Sequence, residues 1–265
     1  MGLIYHYTRF ETFMSYIWPS GSIRTNSLRQ MNDPRESLPW NFGSINLPYE
    51  EIFKGYYSDK THIDCQYKFG DMIKDKYQVL CFSGANEEGW NNEMMWAHYG
   101  GLHSGVCLEF DEELLLKGLK QKYPDLNFVI ENVNYQNNKS TPWIKWEPVQ
   151  SLEDNMERTL QYLVKDVTLS KSKFWDREDE RRLICLNTQD HIYIPIEQAL
   201  KTVYLGVSFD KSGQNLAKNV YRILDEECKL SVLIYQDNRF ERWGMIKDDN
   251  GAIISCGFEK LEIEK

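Results

Sequence analysis

The sequence is short of positive charge. Its 31 Lys and Arg stand against 40 Asp and Glu, a formal net charge of −9, and its isoelectric point is about 5.2. A dedicated nucleic-acid binder carries a basic face, and this balance argues against one, although a local basic groove is compatible with an acidic total. Cysteine is sparse and irregular: six in 265 residues make no disulfide framework. Cys81, Cys107 and Cys185 sit inside apolar runs (QVLCFSG, GVCLEF, RLICLN), where reduced, buried thiols are common. Metal-binding spacing is missing too. There is no C-x-x-C and no H-E-x-x-H, and His98 and His103 are spaced wrongly for one helix face, so no metal is expected. No G-x-S-x-G surrounds Ser83, which excludes a nucleophile elbow. No expected strand leads into G-x-G-x-x-G or a Walker A sequence, so dinucleotide-binding and P-loop folds fail. No apolar run approaches 18 residues, and no membrane partner is expected. His6, Thr8 and Arg9 interrupt the short apolar start, which does not read as a signal peptide, and a cytoplasmic location follows as the expectation. Repeats, low-complexity tracts and Pro/Gly/Ser linkers are also lacking, so residues 1–265 read as one domain.

What the chain has in quantity is aromatic residues, 14% of the total with eight Trp and sixteen Tyr. Such side chains bury much area each and offer flat faces for stacking. The 42% hydrophobic and 27% charged residues are ordinary for a globular protein large enough to bury a substantial core.

The pattern along the chain alternates strands and helices irregularly, which favours α+β over a doubly wound sheet. LIYHYT reads as a strand, and RFETFMSYIW as a helix with Phe10, Phe13, Met14 and Ile17 at helical spacing, stopped by Pro19 and Gly21. SIRTNSL reads as a strand and MNDPRES as a turn, with Asn32 and Asp33 capping nearby amides. Residues 47–76 read as helical. YQVLCFS and SGVCLEFD are apolar strands, and GWNNEMMWAHYGG is a helix closed by Gly100 and Gly101. SLEDNMERTLQYLVKDV is a helix announced by Ser151 and Asp154. After WDREDERRLICL come a strand LKTVYLGVSFD, a helix SGQNLAKNVYRILDEE, a strand LSVLIYQ and a final strand pair around Asp249, Asn250 and Gly251.

Two features invite chemistry. His6 lies between two tyrosines on the first strand, and is either a satisfied core residue or part of a site. The run FWDREDERRLICL places Asp176, Glu178, Asp179 and Glu180 just before, and into, an apolar strand. Strand alternation puts Glu178, Glu180 and Arg182 on one side, with Asp179 and Arg181 on the other. A solvated charged edge or a structural Glu178–Arg182 ion pair competes with a catalytic reading.

The motifs YHYT, NDPRE, CFS, MWAHYGGLHSGVCLEFD and WDREDERRL, in this order, resemble a widespread bacterial domain family of largely unknown function. That layout is in turn similar to the ADP-ribosyltransferase superfamily, with a first-strand histidine, an aromatic helix end and an E-x-E at a strand start. The resemblance implies an α+β domain of two packed sheets around a central cleft. It also implies NAD as substrate, cleavage of the nicotinamide–ribose bond and transfer to a protein or nucleic-acid acceptor, in a toxin or phage-defence setting with an antitoxin or defence partner. In that mapping His6 binds ribose, Tyr99 stacks nicotinamide, Glu180 is the catalytic acid and Glu178 orients or deprotonates the acceptor. Tyr7 and Ser83 line the cofactor, and Arg24 or Arg29 pairs with pyrophosphate. Tyr7 departs from the superfamily's glycine, and Ser83 stands without a Ser-Thr-Ser run. A carboxylate near the ribose would stabilise the oxocarbenium-like transition state. The alternatives are an NAD glycohydrolase, or a non-catalytic module on the same fold that binds nucleotide or protein.

Overall fold

The computed structural model describes residues 2–38, 62–84, 89–137, 147, 150–209, 229–236, 239–247 and 253–257. In chain order the strands are β1 (Leu3–Thr8), β2 (Ser22–Arg24), β3 (Asn26–Ser27), β4 (Tyr77–Ser83), β5 (Val106–Asp111), β6 (Phe128–Asn132), β7 (Asn134–Gln136), β8 (Ser170–Ser172), β9 (Glu180–Leu186), β10 (Tyr193–Pro195), β11 (Leu200–Leu205), β12 (Lys229–Gln236), β13 (Arg239–Lys247) and β14 (Ile253–Gly257). Helices alternate with them, and the pairing is mostly antiparallel, so the chain is α+β. Contacts divide it into two compact units: residues 1–23, 82–124 and 194–265 form one, and residues 24–81 and 125–193 the other.

In the first unit the strand order is β14-β13-β12-β11-β5-β1, with β11 and β12 parallel and the other pairs antiparallel. Register decides which side chains share a face. Tyr5 pairs with Glu109, Tyr7 with Cys107, Thr202 with Glu109 and Tyr204 with Cys107. These six side chains therefore line one face, where Trp90, Met95 and Trp96 cover them. His6 pairs with Leu108, and Leu108 with Val203, so these lie on the opposite face.

The second unit pairs β6 with β9 and β3 with β4, all antiparallel, and β7 with β8 in parallel. Its core joins Phe69 and Ile73 of the helix His62–Lys74, Leu160 and Leu163 of the helix Leu152–Leu163, and Tyr77, Val79 and Ile184 of the strands. Ser151 caps the latter helix, its hydroxyl accepting from the Asp154 amide at 3.1 Å. The helix then widens into a π-turn, Val164–Thr168.

Several expectations change in detail. The helix from Phe10 contains a π-turn, Phe13–Ile17, before Gly21 closes it in the left-handed region at φ 57°. SIRTNSL is not one strand. It breaks at Thr25, whose buried hydroxyl accepts from the Ile192 amide at 2.9 Å, and β3 ends in a short 3-10 turn. The NDPRE turn becomes a single helical turn, Pro34–Ser37. Of the helical reading over 47–76, the described part is His62–Lys74; residues 39–61 and the expected helix over 212–227 lie outside the described residues. The helix Glu112–Lys122 was not expected, although its signals are present. Asp111 accepts from the Leu114 amide at 3.0 Å, Glu112 and Glu113 fill the first turn, and Leu115 and Leu119 are buried.

Candidate functional site

The E-x-E run folds as its alternation suggests, with one change. Glu178 ends a 3-10 turn, Lys173–Glu178, and Glu180 opens β9. Between them Asp179 adopts a left-handed conformation, φ 45°, which a short polar side chain tolerates. That kink lets both glutamates turn inward; Glu178 and Glu180 are each 3% exposed. Two strand-end bonds fix the position: the Glu180 amide donates to the Tyr135 hydroxyl at 2.8 Å, and the Val133 amide to the Glu180 carbonyl at 2.8 Å.

Inside the second unit these acids meet cations. Arg182, fully buried, forks onto Glu180: Nε donates to Oε1 at 2.6 Å and Nη2 to Oε2 at 2.9 Å. Its Nη1 donates to Glu36 Oε1 and, at 2.6 Å, to the Thr168 carbonyl, an acceptor that the end of the π-turn leaves open. Lys171 on β8 donates to Glu178 and lies 3.3 Å from Glu180 Oε2, with its ammonium 4.9 Å from the Trp175 ring centre. Burial pushes the Glu180 carboxyl up, but Arg182, Lys171 and a hydrogen bond from Cys81 outweigh it and hold it at about 2. Burial likewise disfavours a charged Lys171, yet Glu180, Glu178 and Glu36 keep its ammonium above the ordinary lysine value. Glu36 moves the other way. Burial pushes its carboxyl up and the Glu180 charge adds to this, against the pull of Arg182.

The consequence for oxocarbenium chemistry is direct. A carboxylate stabilises a nearby developing cation only as far as its charge is unspent, and Glu180 already faces a guanidinium and an ammonium that are buried with it. Both of its oxygens are engaged, and the pair is buried. The arrangement neutralises charge rather than presenting it.

In the first unit, Tyr7 and Ser83 share the tyrosine-lined face, since Ser83 pairs with Tyr5, and Tyr99 packs against the same cluster. Tyr7 donates to the Gly89 carbonyl and meets Trp96 edge-on at 5.0 Å. His6 lies on the other face, 6.1 Å from Phe82. The histidine and tyrosine that the resemblance assigns to ribose and nicotinamide are thus on opposite sides of one sheet. Arg29 in the second unit grips Asp75 through Nε at 2.6 Å and Nη2 at 2.8 Å, which occupies its fork. Arg24 is exposed and donates to Asn26 Oδ1 at 3.3 Å.

One group escaped the sequence. Glu109, 8% exposed in the middle of β5, accepts from Tyr204 at 2.8 Å and from Thr202 at 2.9 Å. Trp90 stacks on Tyr204 with ring centres 5.6 Å apart, and Arg242 lies over Trp90. A glutamate inside GVCLEFD was the available signal, but its hydroxyl donors come from β11, far along the chain. Among the described residues no cluster of His, Cys, Asp or Glu could hold a metal ion, and no helix is long and apolar enough to cross a membrane.

A model of the family described as a protein of unknown function (DUF2971) matches residues 95–183, less than half of the chain. The match includes Tyr99, Glu178 and Glu180 but not His6, Arg24, Arg29 or Ser83. No curated protein and no solved structure matches the chain. The similarity therefore covers residues 95–183 alone and carries no activity with it.

Proposed function

We propose that the chain is a non-catalytic module that binds a nucleotide or protein partner, and that its E-x-E acids belong to a structural ion network. The observation that carries this reading is the Glu180 carboxylate, buried and held through both oxygens by Arg182 with Lys171 behind it. Burying such charges is costly unless they are paired and hydrogen-bonded, and here they are. A network of this kind fixes the start of β9 against β8 and the turn Pro34–Ser37.

A second reading keeps the full set of resemblances: an ADP-ribosyltransferase-like domain with two packed sheets and a cleft, cleaving NAD by transfer or hydrolysis, in a toxin or phage-defence role. The motif order supports it, as does the placement of Tyr7 and Ser83 on one sheet face with Tyr99 packed against the same cluster. The purified chain, incubated with labelled NAD with and without cell lysate, separates the two. The non-catalytic reading expects no released nicotinamide and no labelled acceptor. Turnover by the parent that disappears in Glu180→Gln, with the variant folded, would replace it with the enzymatic reading.

A further inference from the structure

Among the described residues, the ion network of the second unit holds one acid more than its cations balance. Lys171 and Arg182 supply two positive charges, and Glu178 and Glu180 already contact them with two negative ones. Glu36 is a third carboxyl, 1% exposed, on the turn Pro34–Ser37. Its Oε1 accepts from Arg182, whereas its Oε2 is buried and has no hydrogen-bond partner among the described residues. A buried oxygen that finds no hydrogen-bond partner among the described residues and also carries charge is the costliest state for a carboxyl. Adding a proton removes the excess charge, restores one-to-one balance, and leaves Oε1 free to keep its bond to Arg182.

We propose that Glu36 keeps its proton at neutral pH, which makes the turn Pro34–Ser37 a pH-sensitive latch seated on Arg182. Among the described residues, the charged groups facing Glu36 are Arg182 and Glu180 from β9 and Lys171 from β8; Cys81 of β4 faces Glu180, and Asp33 adjoins the turn. The direction in which burial and Glu180 push the Glu36 carboxyl agrees with this assignment. Once Glu36 ionises, a buried net negative charge beside Glu180 is relieved by moving the side chain into water, which lifts the turn. Lys74 also holds the turn, donating to the Ser37 carbonyl at 3.2 Å and to the Leu38 carbonyl. The proposal is independent of whether NAD is a substrate.

Carbon-13 NMR of the side-chain carboxyls in glutamate-labelled parent protein reads the proton directly. One glutamate signal should keep its protonated shift at neutral pH and vanish in Glu36→Gln; ionisation of every glutamate by neutral pH overturns the proposal. The latch is read by hydrogen exchange at Ser37 and Leu38, whose amides bond the Asp33 and Pro34 carbonyls at 3.1 and 2.9 Å. Corrected for intrinsic rates, their protection should fall about tenfold or more in the parent from about pH 6 to about pH 9, and stay level in Glu36→Gln. Equal behaviour of parent and variant overturns the latch. If Glu36→Gln fails to fold, the parent's carboxyl spectrum alone decides.

Discussion

At the scale of single residues, the second unit separates three glutamates that look alike in sequence. Glu180 is stabilised as an anion, Glu178 is paired with Lys171, and Glu36 is pushed toward the neutral acid. The two shifted groups act oppositely on stability. Glu180 has its carboxyl lowered to about 2, so it binds fewer protons folded than unfolded between that value and the ordinary glutamate range. Its contribution is complete above about pH 4.3 and is lost as pH falls toward 2. Glu36 is raised, so its contribution is complete below about pH 4.3 and is lost as pH rises through its folded value. Denaturation followed against pH should show an acid limb in the parent, and Glu180→Gln should flatten it. An unchanged acid limb would mean that Glu180 is not the group being titrated. Strand alternation made the shared side of Glu178, Glu180 and Arg182 legible. Arg182 as the link to Glu36 was not, because the two residues lie far apart in the chain and meet only through folding. The same holds for Glu109, whose donors Thr202 and Tyr204 are on another strand.

At the scale of elements, the apolar strands and the capped helices carried the clearest sequence signals. YQVLCFS and SGVCLEFD are strands β4 and β5 as expected, and Ser151 starts its helix. Short strands such as β7 and β8, three residues each, offered no periodicity to read. The loop after the helix Glu93–His98 is more unusual than its glycines suggest. Gly101, Leu102 and His103 take φ of 59°, 54° and 67° in succession, a left-handed turn closed by the Ser104 amide on the Gly101 carbonyl at 3.2 Å. Gly206 packs so closely on the His103 carbonyl that an added Cβ would lie 2.2 Å away, and the Ser208 amide bonds the same carbonyl at 2.8 Å. Leu102 is strained there and 77% exposed, so it gains little from packing. Leu102→Asn should raise the unfolding free energy by about 0.5–1 kcal/mol, since Asn tolerates this conformation better. A loss of stability on chemical denaturation would show that Leu102 makes a contact that outweighs the strain.

At the scale of the whole molecule, two compact units each hold their own buried polar centre, and the resemblance draws its residues from both. His6, Tyr7, Ser83 and Tyr99 fall in the first unit; Arg24, Arg29, Glu178 and Glu180 fall in the second. Motif order in a sequence reports which residues exist and in what succession, but not which side of a sheet they face or what already occupies them. The opposed faces of His6 and Tyr99 and the forked grip of Arg182 on Glu180 emerge only from register and packing. The most direct test is the unfolding free energy of Glu180→Gln at neutral pH. A carboxylate committed to a buried ion network should cost about 3–5 kcal/mol on neutralisation, nearer the lower figure if Glu36 ionises to replace it. A catalytic carboxylate, held in place against stability, would instead leave the protein equally or more stable when neutralised, and that result would contradict the account.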